Sequence, residues 1–314
     1  MPIQRRPTTI RPPRGVVVAT AIVLFAICAS LPRAEDAAEP LYAQAGRLVF
    51  RLEHKEVVAR PGQPTPESRL VPDGTAFVLG HRGRLFLVTA RHVAERAYDL
   101  RARVPSKRDD DGAIEVVELR IPQSSWVFHK DGPEIVGGSS GEVRLQGVDV
   151  AVALLPGIRD RGIIKFLSCT DCPDGEENQL GLTDPEPPQS VLIAGFPGSI
   201  GFTLKEQRPM FRAGIIAMVA GEQFLLVDGA YADKKSFVID GKIERGNSGS
   251  PIFSVNQFSG DITLVGMVSA ANQDSDFGIG IPASRIRETF ERALEESPSG
   301  APTWHLLEEQ AQAN

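Results

Sequence analysis

Twelve short runs of apolar and β-branched residues follow one another along the chain, among them "RLVFRLE", "GTAFVLG", "RLFLVTA", "VDVAVALL", "SVLIAGF", "SPIFSV" and "DITLVGMVSA". Each has five to ten residues, and clusters of Gly, Pro, Asp or charged residues separate them. Runs of that length suit strands that turn back on one another, so the pattern predicts an all-β fold, a sandwich or a barrel. With 314 residues, 42% of them hydrophobic, the chain has enough apolar side chains for one large domain or two small ones.

One helix interrupts the pattern. In "SRIRETFERALEE" (284–296) Ile286, Phe290 and Leu294 recur at i, i+4 and i+8, which gives a single apolar stripe to lay on the β body. The longest polar stretches, 105–113, 129–142 and 170–189, are expected to be solvated loops. The third is rich in Pro and acids, lies near mid-chain and reads as a joint between two halves. No repeat of 20 to 50 residues is present, and residues 297–314 read as a tail.

The first 34 residues differ from the rest. Arg5, Arg6, Arg11 and Arg14 precede the uncharged run "VVVATAIVLFAICASL", closed by Pro32. This is the layout of a secretory leader, a basic region followed by an apolar one. The run has 16 residues, against roughly 20 for a spanning helix, so residues 1–34 are expected to be a cleaved signal peptide, with an uncleaved membrane anchor as the other reading. An Ala/Glu-rich linker (35–45) follows. An exported, periplasmic or secreted chain is the expectation. Without the leader's five arginines 29 basic side chains face 40 acidic ones, a net charge of −11, which disfavours nucleic acid as a partner.

Cys169 and Cys172 then remain, in "SCTDCPDG". In an oxidising compartment they read as a small disulfide or paired thiols tying down a surface loop. No further ligands stand at zinc-like spacing, and Pro173-Asp174-Gly175 reads as a turn where a redox motif wants a helix start. No metal or cofactor is expected.

"ERGNSGSPIF" (244–253) sets Ser248 between glycines. A tight turn needing small residues explains it, and so does a nucleophile whose oxyanion partners are the N–H groups of Gly246 and Ser248, converging where the chain bends. A serine nucleophile needs a base and a group to orient that base. Of five histidines, His81 sits in a hairpin-like "LGHRGR", His54 and His129 in charged loops and His305 in the tail; His92 follows the strand-like "LFLVTA". Among the acids, Asp149 stands inside the apolar alternation "GVDVAVALL", with Val148 and Val150 facing the other way. An Asp there must be hydrogen-bonded to be tolerated, and either a backbone amide or a neutral imidazole N–H serves.

The order His92, Asp149, Ser248 is that of the chymotrypsin-like serine proteases. "GTAFVLGHRGRLFLVTARHVAE" resembles their strand, hairpin and strand ending in T-A-x-H; "VDVAVALL" resembles the strand bearing the acid, and "GNSGSP" the nucleophile loop. Separations of 57 and 99 residues between the three leave room for insertions. The exported bacterial members, HtrA-like proteases and glutamyl endopeptidases, are the most similar, although HtrA-like enzymes normally carry a PDZ domain and the residues after 296 are too few for one.

The resemblance implies two six-stranded antiparallel β-barrels (first about 46–168, second about 190–283), the helix 284–296 and a site in the cleft between the barrels. It implies a serine endopeptidase in which Ser248 attacks, His92 moves the proton and Asp149 orients the imidazole. Asn247 stands where trypsin-like zymogens have an Asp that pairs with a new N-terminus, and Ser250 where many relatives have Gly. The specificity pocket would be lined by Lys242, Val268, Ser269, Ala270 and Ala271, which disfavours basic and acidic P1 residues and implies a small or medium apolar one. The alternatives are a silent domain of this fold that binds peptides or proteins and an ester hydrolase; an α/β-hydrolase would have its histidine last in chain order.

Overall fold

The computed structural model describes residues 48–58, 67–82, 84–96, 99–108, 114–132, 134–138, 141–145, 147–155, 168–169, 179–198, 208–220, 236–256, 262–271, 276–296 and 306–307. The leader, the linker, Cys172 and the apolar run "QFLLVD" lie outside them, and so does any Cys169–Cys172 pairing.

The chain is mostly β. Strands β1 (Val49–Val58), β2 (Glu67–His81) and β3 (Arg84–Thr89) precede a short helix, α1 (Arg91–Arg96). Strands β4 (Asp99–Arg108) and β5 (Ile114–Pro122) lead through a 3-10 turn to β6 (Trp126–Phe128), a hairpin of β7 (Glu134–Gly138) and β8 (Gly141–Leu145), and β9 (Ala151–Leu155). Short strands β10 (Ser168–Cys169) and β11 (Gln179–Leu182) follow. Then come β12 (Gln189–Gly195), β13 (Met210–Val219), β14 (Phe237–Asp240), β15 (Pro251–Val255), β16 (Ile262–Ala271) and β17 (Phe277–Pro282). Helix α2 (Ala283–Glu296) and β18 (Leu306–Leu307) complete the order.

The two halves are built differently. In the second, β15 pairs with both β12 and β16, which closes the antiparallel ring β12-β13-β14-β17-β16-β15 into a six-stranded barrel. In the first, seven antiparallel strands run in the order β5-β4-β1-β2-β3-β9-β6, a half-barrel whose described strands do not close. Parallel pairings of β10 with β2 and of β11 with β10 and β16 join the halves into one hydrogen-bonded sheet. All three expected loops contain strand residues, the first because β4 runs on to Arg108. Leu180 and Leu182 are buried in β11, and β7 pairs with β8 over Ile135↔Arg144 and Val136↔Val143. Two to four apolar residues inside a polar stretch suffice for a short ladder when a neighbouring strand offers an edge.

Strand β3 is buried on both faces, which explains its nearly continuous apolar sequence. Phe77, Leu79, Phe86 and Leu100 form one core with Ile286 and Phe290 of α2; Val191, Ile193, Ile216, Phe237 and Ile239 form another inside the closed barrel. Burial of each such side chain contributes about 1.5–3 kcal/mol. Phe290 packs on Phe86 with ring centroids 4.7 Å apart, so the stripe read from the helix periodicity is the face that docks.

Two histidines, His81 expected in a hairpin turn and His129 in a charged loop, are buried beneath that helix. His81, 0% exposed, bonds Glu291 through Nε2 at 2.9 Å, and His129, 1% exposed, bonds Glu288 through Nε2 at 2.9 Å. The His129 Nδ1 accepts the Asp131 N–H at 3.1 Å, so its proton sits on Nε2 and the ring is neutral. Burial pushes the His129 pKa below the ordinary value, against the pull of Glu288. Burial raises the Glu288 carboxyl, but the hydrogen bonds from His129 and Arg285 outweigh it and leave the carboxyl below the usual range.

Candidate active site

Strands β3 and β9 pair with Thr89 opposite Ala151. Extending that antiparallel register beyond the strand ends brings the start of α1 beside Asp149, and the Arg91 N–H donates to the Asp149 carbonyl at 3.3 Å. His92 is the second residue of α1. Its Nδ1 lies 2.8 Å from Asp149 Oδ2, and its backbone N–H donates to Oδ1 at 2.9 Å. Asp149 thus grips the ring and the backbone of one residue, and a carboxylate acceptor at Nδ1 favours the tautomer that leaves Nε2 free as a base. The Asp149 side chain is 13% exposed and that of His92 36%, so the acid is sheltered and the ring reaches solvent. Val148 and Val150, the neighbours of Asp149 in the chain, are both fully buried.

A third donor reaches Asp149 from the other half. The Ser269 hydroxyl donates to Oδ2 at 2.6 Å. The β16–β17 register shifts between Val268 and Ala270, so Ser269 is a bulged residue released from the ladder. The bulge turns its hydroxyl toward Asp149, and its carbonyl accepts the Ser248 Oγ–H at 3.3 Å. No hydrogen bond joins Ser248 Oγ to His92 in this structure; the hydroxyl faces Ser269.

The loop carrying Ser248 is fixed through its backbone. Four consecutive carbonyls are held: Arg245 O by the Gly198 N–H (2.6 Å), Gly246 O by Thr75 Oγ1 (2.7 Å), Asn247 O by the Ser250 N–H (2.8 Å) and Ser248 O by the Thr75 N–H (2.8 Å). A trans peptide points its N–H opposite to its C=O. Holding Arg245 O and Asn247 O therefore aims the N–H groups of Gly246 and Ser248, and neither donates to any described residue. Two free, adjacent backbone donors are what a tetrahedral oxyanion requires.

Gly246 has φ +92°, and a Cβ there would stand 2.4 Å from Phe196 O and 2.7 Å from Gly198 N, so no side chain fits this bend. Gly249 has φ +86°, and a Cβ there would meet Thr75 O at 2.1 Å. Asn247 is 2% exposed and its Oδ1 has no partner among the described residues. An Asp at that position would bury an unpaired charge, whereas the amide needs no countercharge.

The residues read as a pocket are spread over different surroundings. Lys242 is 69% exposed at its side chain and ion-paired to Glu244 at 3.1 Å, so it points outward; Glu244 also meets Arg212 at 3.2 Å. Its neighbour Ile243 turns inward: it is 7% exposed, and a Cβ on Gly278 would lie 2.4 Å from Ile243 Cγ1. Val268 is fully buried in the barrel core. Its backbone binds the Ser248 loop, with the Gly249 N–H donating to Val268 O at 2.7 Å and the Val268 N–H to Ser250 O at 2.9 Å. Ala270 is half-buried, and Ala271 pairs with Gly278. Among the described residues no cluster of His, Cys, Asp or Glu is arranged to hold a metal ion. Nothing in the sequence marks Thr75, which holds the Ser248 loop, and Ser269 stands out there only as a pocket wall.

A family model described as a trypsin-like peptidase domain matches residues 74–267, more than half of the chain, and spans His92, Asp149 and Ser248. The chain belongs to the trypsin-like peptidases. No curated protein matches it. Among solved structures, the HtrA-type protease AlgW with decapeptide is 17% identical at a TM-score of 0.49, over 82% of this chain and 67% of that one. The active form of the Rv3671c protease from M. tuberculosis is 16% identical at 0.47, over 84% and 86%. The MamO protease domain from Magnetospirillum magneticum, apo form, is 17% identical at 0.42, over 78% and 97%. The family match carries the assignment.

Proposed function

We propose that this trypsin-like peptidase is an exported serine endopeptidase working through His92, Asp149 and Ser248. The observation behind the reading is the His92–Asp149 pair at 2.8 Å facing a loop that leaves two backbone N–H groups free around Ser248. The Ser248 hydroxyl turns from the Ser269 carbonyl to His92 Nε2, gives up its proton there and attacks the scissile carbonyl carbon. The N–H groups of Gly246 and Ser248 receive the oxyanion, and losing one such donor costs about 2.7–4 kcal/mol of barrier. Collapse expels the amine, which takes the proton from His92, and water then cleaves the acyl-enzyme with His92 again as base. The chemistry needs no cofactor.

Small or medium apolar P1 residues are the substrates this site suits. Ile243 fills the space against Gly278, Ala270 adds no charge, and Lys242 points away. Export follows from the leader-like residues 1–34, with retention at a membrane if that segment is not cut. One observation favours a second reading, a silent domain that binds peptides without cutting them: Ser248 Oγ bonds to Ser269 and not to His92.

Digestion of an unfolded protein by wild type and by Ser248→Ala, with cut sites read by mass spectrometry, separates the two. The endopeptidase cuts predominantly after Ala, Val or similar residues, and the variant loses activity by a factor on the order of 10⁶ in kcat. Equal cutting by both, together with no labelling of Ser248 by a fluorophosphonate, establishes the binding domain instead.

A further inference from the structure

We propose that Thr75, a residue of the first half, is the positioning residue of the oxyanion hole carried by the second. The inference rests on the proposed function and adds a residue to it. Thr75 lies on β2, is 0% exposed and has every polar group engaged. Its N–H donates to Ser248 O at 2.8 Å and its Oγ1 to Gly246 O at 2.7 Å. The same Oγ1 accepts the Phe196 N–H at 3.1 Å, and its carbonyl accepts Thr89 Oγ1 at 2.7 Å.

The pattern of these bonds gives the role. Thr75 holds the carbonyls of Gly246 and Ser248, while partners in the second half hold the alternate ones, Arg245 O and Asn247 O. The peptides that aim the oxyanion donors are therefore interleaved with peptides anchored to the opposite half. The peptide between Gly246 and Asn247 is the link between the two donor peptides, so releasing Gly246 O leaves that link held only by the Asn247 N–H on Glu244 O at 3.1 Å and loosens the angle between the Gly246 and Ser248 N–H groups. One hydroxyl does this as donor and acceptor at once. Phe196 N–H, the donor into that hydroxyl, stands two residues before Gly198, which holds Arg245 O. Thr75 thus touches both the loop and the segment that braces it.

The test compares Thr75→Val, which keeps the shape and removes the hydroxyl, with Thr75→Ser, which restores it. Turnover of a peptide amide is measured per active site, the sites being counted by fluorophosphonate titration, and the affinity of a peptidyl boronate that mimics the tetrahedral state is measured beside it. Thr75→Val is expected to lose about 10²-fold in kcat, the low end of the cost of a missing oxyanion donor. KM should stay within about threefold while the boronate weakens about as much as kcat falls, since the contact acts only in the transition state. Thr75→Ser is expected to recover all but a few-fold. A merely structural role lowers the count of titratable sites and leaves kcat per site unchanged, and that result overturns the inference. If Thr75→Val does not fold, Thr75→Cys, with a weak thiol donor of similar size, takes its place: wild-type kcat per site in that variant overturns the inference, and a loss reversed in Thr75→Ser supports it. Wild type that neither turns over nor labels overturns the proposed function and this role together, whereas active wild type with an unaffected Thr75→Val removes only this role.

Discussion

The two groups proposed to react, the His92 ring and the Ser248 hydroxyl, are held in opposite ways. His92 is fixed through its side chain: Asp149 binds its Nδ1 and its backbone N–H, and the ring has little choice of direction. Ser248 is fixed through its backbone, with four carbonyls held in a row, while its hydroxyl rests on Ser269 and is free to turn. The difference matches the chemistry. A base must keep one tautomer and one orientation through both halves of the reaction. A nucleophile must move onto carbon, so the rigid element is the frame that receives the oxyanion and the mobile one is the attacking atom.

Asp149→Asn breaks the side-chain arm of this contrast most severely. The carboxylate accepts from His92 N–H, His92 Nδ1 and Ser269 Oγ, and an amide cannot accept at all three places. The wrong tautomer of His92 follows, and kcat is expected to fall about 10⁴-fold with the fold intact, a loss checked by steady-state kinetics beside circular dichroism. A loss under tenfold would mean that His92 is oriented by something other than Asp149.

Ser269→Ala sharpens the contrast more gently, because it touches both arms. It removes one of three donors to Asp149 and leaves the carbonyl on which Ser248 rests. A hydrogen bond to a charged group contributes about 1.5–3 kcal/mol, much of it shared here with two remaining donors, so a fall of about tenfold in kcat/KM is expected. A loss as large as that of Asp149→Asn would show the bulged serine, rather than the carboxylate, to be the organiser.

The smallest effect concerns stability. Burial holds the His129 pKa below the ordinary 6.5, so as pH falls through that value the unfolded chain takes up a proton that the folded ring declines, and stability drops. Glu288, held below the ordinary 4.5, adds to the loss at lower pH by the same sign, since its stabilisation disappears as pH falls through its folded value. Thermal unfolding followed from about pH 7.5 to about pH 5.5 should show a falling Tm in wild type and a flatter line in His129→Gln. A wild-type Tm independent of pH would mean that His129 takes its proton without leaving Glu288, and catalysis at pH 7.5 should be unaffected in the variant because its site contacts are elsewhere.

The triad candidates were legible because each sits in a local word with its own physical oddity: a histidine at a strand end, an acid in an apolar alternation, a serine between glycines. The helix was legible through its period. Thr75 was not, since a threonine in a strand is the ordinary choice there and its oxyanion-loop partner Gly246 stands 171 residues away. The hydroxyl of Ser269 depends on a bulge that no residue type announces. Lys242 was assigned by counting back from Ser248; its surroundings are decided instead by Glu244, which draws it to the surface and leaves Ile243 facing inward. His81 reads as a turn residue and His129 as a charged-loop residue because the glutamates that make their burial tolerable arrive from the last helix.

The closed ring of the second half looks like an independent folding unit, with its own core and no free lateral edge. Its nucleophile loop is not independent. Two of the four carbonyls that fix that loop are held by Thr75 of the first half, so its anchoring is divided between the halves although Ser248 belongs to one. A barrel expressed alone would keep its ladder and lose both Thr75 bonds to the Ser248 loop, and on the function proposed above a lineage that copied or transplanted the second half by itself would inherit the serine without the frame that supports it.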